Sequence, residues 1–255
     1  MIRFIKKLKF LHAIISLSLL FLTITTLASI IYIYEKRHKI FTKIDSKPEY
    51  SIDGNKFELS QKIMEGGYVL FFRHAEREKW IDVQMYDARE AKKKLMAENT
   101  YFKDAVCLSK RGMIQARMMG EVVKDLKLPV NKIITSPSCR ARQTAELVFG
   151  GYDEIKNIFL HAGPYNETPK EFGDKVKNQI MKYVPPNNSN VIISAHNAVV
   201  DELPFDIIEN NTKTKKGLAE GGFYVIKNDG KKLILVNKFY TFHEFNVMFQ
   251  KRPVD

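Results

Sequence analysis

Cysteine is scarce: Cys107 and Cys139 are the only two in 255 residues. That excludes a disulfide-dense secreted scaffold and an all-cysteine zinc centre, and leaves room for one bridge at most. Acidic residues are few beside basic ones, 29 against 41, giving a formal charge of +12. Much of that excess is local. The first 43 residues carry eight Lys or Arg against Glu35 alone, and the rest of the chain is only +5 with no dominant cluster. Nucleic acid is therefore not expected as a partner. Internal repeats and low-complexity tracts are absent, and no His, Asp or Glu cluster shows metal-ligand spacing, so no metal and no cofactor are expected. Average hydrophobic and charged content, 45% and 27%, argues for a folded globular chain.

Charge is missing altogether between Phe10 and Tyr34, 25 residues rich in Leu, Ile and Phe. At 1.5 Å per residue such a run crosses ~30 Å of hydrocarbon as one helix. A cleaved signal peptide fits less well, because the run exceeds a ~7–15-residue h-region and no clear A-x-A site follows. The expected organisation is a basic flank over 1–9, a transmembrane helix over 10–34, a juxtamembrane linker over 35–57 and a catalytic domain over 58–255. The acid-free N-terminal flank favours N-in, C-out, with the large domain on the outer, periplasmic or extracytoplasmic side. The lipid bilayer is thus an expected partner through residues 10–34; oligomeric state is left open.

Beyond the linker, short apolar runs alternate with helical patterns. Tyr68–Phe72, Lys132–Thr135, Ile158–His161, Val191–Ser194, Phe223–Ile226 and Leu233–Val236 read as strands. Ser109 is an N-cap ahead of Met113, Ala116, Met119, Val123 and Leu126, spaced three to four apart, and a second helix follows Pro137. Asp229-Gly230 reads as the turn of a hairpin between the last two strands. The expected fold is α/β, a three-layer α/β/α sandwich with a largely parallel central sheet, preceded by the transmembrane helix. The stretch from Asp87 to Glu98 reads as a solvated helix face, with a basic lid as the alternative.

Three strand ends carry ionisable groups: Arg73-His74-Ala75-Glu76-Arg77, then Ser136-Pro137-Ser138-Cys139-Arg140-Ala141-Arg142, then Ala195-His196-Asn197. Strand C-termini are where open α/β sheets bind ligands. An imidazole can attack phosphorus, and guanidinium groups grip phosphoryl oxygens in a fork. These are parts for phosphoryl transfer.

The same segments resemble the histidine phosphatase superfamily, the phosphoglycerate mutase-like proteins, over about Tyr68 to Ile226. Its Arg-His-Gly signature stands as Arg73-His74-Ala75, its Ser-Pro-x-x-Arg-Ala-x-Gln-Thr-Ala signature as Ser136 to Ala145, and its Leu-Ser-x-x-Gly-x-x-Gln-Ala segment as Leu108 to Ala116. The second-histidine strand stands as Val191 to Asn197. The resemblance implies His74 as the nucleophile that becomes phosphohistidine, with Arg73, Arg140 and His196 on the phosphoryl oxygens and Arg142 structural or at the rim. It implies a carboxylate proton donor in the loop Gly163 to Thr168, for which Glu167 is first choice and Glu76 the alternative. Ala75 and Asn197 depart from the family's glycines, and Lys79 to Ala105 is a long connection, expected to be a specificity insertion or lid. A membrane-anchored, metal-independent phosphomonoesterase acting on a sugar or glycan phosphate is the implied function. Membrane attachment, the run Arg73-His74-Ala75-Glu76-Arg77 and the second motif Ser194-Ala195-His196-Asn197 look similar to envelope phosphatases that act on lipopolysaccharide core heptose phosphate. A mutase-type phosphotransferase and a catalytically silent phospholigand-binding module are the alternatives.

Overall fold

A computed structural model describes residues 54–79, 106–160 and 168–250, together with Thr25. The chain divides into two units, Met1–Ser51 and Ile52–Asp255, and the elements below belong to the second. Apart from Thr25, the membrane helix expected over 10–34 lies outside the described residues, as do most of the linker, the insertion from residue 80 to 105 and the charged stretch within it. Among the described residues no helix is long and apolar enough to cross a membrane.

The first helix, α1, runs Gly54–Glu65, so the chain is helical before residue 58, where the linker was expected to end. Its buried face is short, Leu59, Ser60 and Ile63, which is why no long apolar period marked it. Next comes β1 (Val69–Arg73), then α2 (Lys110–Leu126). The Ser109 hydroxyl caps α2 by accepting the Gly112 N–H at 3.0 Å, and Lys127 ends it in the left-handed region at φ 55°. Such a cap is worth about 1 kcal/mol. Strand β2 (Val130–Thr135) leads into α3 (Cys139–Phe149), β3 (Glu154–Ile155) and a 3-10 turn at Asn157–Phe159. After α4 (Pro169–Ile180), opened by a Thr168–Glu171 capping box, come β4 (Asn190–Ala195) and the short α5 (Asn197–Asp201). Then β5 (Ile207–Ile208), β6 (Phe223–Asn228), β7 (Leu233–Phe239) and α6 (Phe242–Gln250) complete the chain.

The seven strands form one sheet in the order β3-β2-β4-β1-β6-β7-β5. Its left half, β3 through β1, is parallel throughout, whereas β6 runs antiparallel to both β1 and β7. The sheet is therefore mixed and mostly parallel. The hairpin expected at Asp229-Gly230 is the cause, since a short turn can join only antiparallel neighbours; Gly230 supplies the positive φ of 81°.

One expected strand is not a strand. The apolar run Ile158–His161 predicts a strand, but Asn157–Phe159 turn in a 3-10 helix, Phe159 is buried edge-on to Phe71 with ring centroids 6.1 Å apart, and His161 lies outside the described residues. Burial beneath the sheet satisfies that apolar run without strand pairing; the strand that does pair there is the two-residue β3.

Strand alternation sorts the core into two layers. Val69, Phe71, Val191, Ile193, Tyr224 and Ile226 pack on Phe172, Val176 and Ile180 of α4. On the opposite face Phe72 stacks on Phe223 at 4.6 Å and meets Phe149 of α3, while Phe223 meets Phe245 of α6. Each fully buried aromatic contributes roughly 1.5–3 kcal/mol. Helices on both faces make the three layers and leave the strand ends as the open edge.

Cys107 and Cys139 are joined by a disulfide, Cα–Cα 4.8 Å across a sequence separation of 32. It fastens the segment ahead of α2 to the first residue of α3. Closing a loop of that length removes roughly 3–4 kcal/mol of denatured-state entropy. Reducing it in the full-length protein is expected to lower the melting temperature by about 10 °C, read by circular dichroism with and without reductant; an unchanged transition would show that the bridge contributes nothing to stability.

Candidate active site

Three parallel strand ends meet at one point. Phe72 pairs with Ser194, Arg73 with Ala195 and Thr135 with Ser194, so Arg73-His74, Ser136 and His196 leave the sheet side by side. The His74 N–H donates to Ala195 O at 3.1 Å and the Ser136 N–H to Ser194 O at 2.9 Å, extending the ladder one residue into the site. The two imidazoles sit with ring centroids 5.2 Å apart at 65°.

His74 is 4% exposed. Its Nδ1 lies 2.7 Å from Ala75 O, and a carbonyl only accepts, so Nδ1 carries the hydrogen and Nε2 keeps a lone pair. Burial above all, then the nearby Arg140 guanidinium, holds its pKa well below 6.5, with Arg73 and Arg77 adding to the effect and the Ala75 carbonyl opposing it. At neutral pH this is an unprotonated imidazole with one nitrogen fixed and the other available to attack.

His196 is 5% exposed. Its Nδ1 faces Arg140 Nη2 at 3.3 Å and its Nε2 faces the hydroxyls of Ser136 at 3.1 Å and Ser138 at 3.3 Å. A guanidinium only donates, so Nδ1 accepts and the ring hydrogen sits on Nε2. Arg140 occupies the first turn of α3 and is 1% exposed. Ser138 sits at the N-cap of that helix without making a side-chain cap bond, which leaves its hydroxyl for His196. The start of α3 thus presents a guanidinium, and with it the positive end of a helix dipole, to the space beside His74.

Arg73 is held from the other side. Its Nη1 donates to Leu218 O, and its Nη2 lies 3.4 Å from Glu220 Oε1. The loop before β6 makes this possible: Gly221, at φ 83°, aims its N–H at the carbonyls of Arg73 and His74. Asn197 donates from Nδ2 to the same Leu218 O at 3.1 Å, while its Oδ1 is buried with no hydrogen-bond partner among the described residues. Asn197 and Arg73 therefore share one carbonyl.

Glu76 accepts from Arg111 Nε at 3.1 Å and Nη2 at 2.9 Å, and from the Ser109 hydroxyl at 2.9 Å. These bonds hold its pKa below the ordinary carboxylate value, the Arg111 contact most of all. A group kept ionised in this way is poorly suited to giving up a proton, and it ties the turn after His74 to the start of α2. Gly112 permits the approach, since a Cβ there would fall 1.8 Å from Glu76 O. Glu167 lies outside the described residues. Arg142 is buried, its Nε donating to Pro137 O at 3.0 Å, a bond that braces the turn.

Sequence reasoning assigned no role to Glu220, Ser136, Ser138, Gln115 or Thr144. Gln115 accepts the Glu76 N–H at 2.9 Å; the Thr144 hydroxyl accepts from the Ala75 N–H at 3.0 Å and donates to Arg140 O at 2.7 Å. Four of the five stand inside the motifs already quoted. Glu220 was signalled only by the Gly221-Gly222 pair that follows it.

A family model described as the histidine phosphatase superfamily (branch 1) covers part of this arrangement. Residues 69–161 match it. The histidine phosphatase match thus includes His74, Arg73 and Arg140 and ends before His196. No curated protein matches the chain. Among solved structures, the protein histidine phosphatase SixA complexed with tungstate is similar at 14% identity, over 68% of this chain and 96% of that one, TM-score 0.44. A phosphoserine phosphatase variant from Entamoeba histolytica, in complex with phosphoserine, is similar at 11% identity over 69% and 98%, TM-score 0.45. The mycobacterial glucosyl-3-phosphoglycerate phosphatase is similar at 12% identity over 63% and 89%, TM-score 0.42.

Two outcomes follow from the geometry. Because the His74 pKa is depressed, the unfolded chain takes up a proton below pH 6.5 that the folded site refuses. The group's contribution to stability is constant above pH 6.5 and is lost as pH falls from there towards the folded pKa. The acid limb of kcat/KM for phosphomonoester turnover is expected to lie below pH 6.5; a limb at or above 6.5 would contradict the neutral imidazole. Asn197→Ala, by loosening the Leu218 carbonyl, is expected to raise KM several-fold with a smaller change in kcat, and unchanged steady-state kinetics would sink that role.

Proposed function

We propose that this protein is a phosphomonoesterase that works through a phosphohistidine at His74, anchored in a membrane by residues 10–34, with its catalytic domain on the extracytoplasmic side. The observation that carries the reading is the His74 ring: buried, neutral, tethered through Nδ1 and adjacent to Arg140. Nε2 attacks phosphorus, an N–P bond forms and the ester P–O bond breaks. Arg73, Arg140 and the Nε2–H of His196 stabilise charge on the phosphoryl oxygens. Glu167 gives the departing alkoxide its proton, then as carboxylate takes one from the water that hydrolyses the phosphohistidine to inorganic phosphate.

The Cys107–Cys139 bridge supports an oxidising compartment, since structural disulfides persist outside the cytosol. The uncharged run from Phe10 to Tyr34 supports the anchor. For the substrate we infer a sugar phosphate or an envelope glycan phosphate; membrane attachment and the resemblance of the strand-end motifs support that class.

The test is turnover of a chromogenic phosphomonoester by the full-length protein in neutral detergent, with excess chelator, beside rapid-quench trapping of the label. Chelator-resistant turnover, an alkali-stable and acid-labile phosphoenzyme, and a loss of about 10³-fold or more in His74→Ala are expected. Glu167→Gln is expected to lose ~10²–10⁴-fold. Absence of turnover on that ester and on a panel of sugar phosphates, in a folded sample, would overturn the reading in favour of a phospholigand-binding module.

A further inference from the structure

The loop that holds Arg73 has a second face. Leu218 turns its carbonyl to the candidate active site, whereas Lys213 and Lys216, a few residues earlier, line a separate cavity of about 510 Å³. Lys56 from α1 and Lys238 from β7 complete its charged lining, with Asn210 and Asn237 among the amides, and among the described residues no Asp or Glu lines it. Four lysines from three segments of chain thus line one cavity.

The frame around them is fixed. Lys238 Nζ donates to Lys213 O at 2.7 Å and Gly217 O at 3.1 Å, the Tyr224 hydroxyl donates to Thr214 O at 3.1 Å, and Asn210 Nδ2 donates to Val236 O at 3.0 Å. Lys238 pairs in register with Tyr224, which pairs with Phe71 of β1, so the cavity flanks the same end of the sheet as His74. Lys56 is matched by Glu244 at 2.5 Å. Lys213 and Lys216 meet no acid among the described residues. Lys238 is half-buried, and burial first, then repulsion from Lys56 and Lys216, pulls its pKa below the ordinary lysine value, with Asp201 and Glu244 opposing. Lys213 and Lys216 are exposed beside the half-buried Lys238, and an anion held among them offsets the mutual repulsion of these like charges.

We propose that the cavity between Lys56, Lys213, Lys216 and Lys238 binds a phosphate-type anion at a site separate from the candidate active site. Lysine ammonium groups suit such a ligand as point charges, and the surrounding amides supply further donors. Two sources share this chemistry. One is free inorganic phosphate. The other is the headgroup of an anionic lipid, a source that rests on the membrane anchor proposed above for residues 10–34.

The experiment is lysine acetylation footprinting by mass spectrometry on the full-length protein. One arm titrates inorganic phosphate against chloride at matched ionic strength in neutral detergent. The other compares phosphatidylcholine vesicles with vesicles containing phosphatidylglycerol. Acetylation of Lys213 and Lys216 is expected to slow at least threefold, with Lys127, Lys182 and Lys232 unaffected. In the variant Lys213→Gln/Lys216→Gln the accompanying protection of Lys56 is expected to disappear. Protection by phosphate identifies the free anion; protection only with phosphatidylglycerol identifies the lipid. Equal rates in every condition, or equal slowing at all lysines, would overturn the proposal. The readout does not involve turnover, so it stands or falls apart from the role of His74.

Discussion

Burying the Arg140 guanidinium, 1% exposed at the start of α3, is the constraint on which the site depends. Taking a charge out of water costs several kcal/mol unless its neighbours compensate, and the groups around Arg140 are in forms that tolerate a cation. His196 offers Arg140 a lone pair. His74 is pressed into its neutral form by burial and then by Arg140 itself. A group that would be the most expensive feature of an empty core becomes useful once a phosphoryl group is its complement, because the attraction is exerted where water is scarce.

Position is set by a small number of bonds that cross between motifs. Thr144 links the Ala75 N–H to the Arg140 carbonyl, so the turn carrying His74 and the helix carrying Arg140 move together. The Ser194 hydroxyl donates to Ala141 O at 2.8 Å, fastening the strand before His196 to that same helical turn. The disulfide adds a covalent tie one residue from Arg140. Stability and chemistry are therefore not separable here, since each contact that secures the strand ends also aims a reacting group.

The strand-end chemistry was legible because parallel strands buried on both faces read as continuous apolar runs, and the residues just beyond them stand out against that background. Val69–Arg73 and Asn190–Ala195 are of this kind. Ile158 and Phe159 are equally apolar, but an apolar run records burial rather than conformation, and the 3-10 turn satisfies burial as well as a strand would. Helix α1 escaped notice because Leu59 and Ile63 make only a narrow stripe. The Arg73 clamp was illegible for a different reason: Leu218 acts through its backbone carbonyl, which any residue possesses. Pairing of Cys107 with Cys139 depended on α2 and α3 packing side by side, a tertiary fact that spacing does not encode.

The acids around the site deepen its positive field by being occupied elsewhere. Glu76 is two residues from His74 yet forks onto Arg111 and Ser109. Glu220 reaches only the outer nitrogen of Arg73, at 3.4 Å. With these carboxylates committed to partners, the groups aimed at the space between the strand ends are, among the described residues, guanidinium, imidazole and hydroxyl. Such a lining repels a second cation and gains most from a dianion. A phosphomonoester carries that charge at neutral pH and loses part of it as its second ionisation reverses near pH 6. Burial and Arg140 both push His74 towards the neutral ring, so at neutral pH a dianionic ester meets an unprotonated nucleophile.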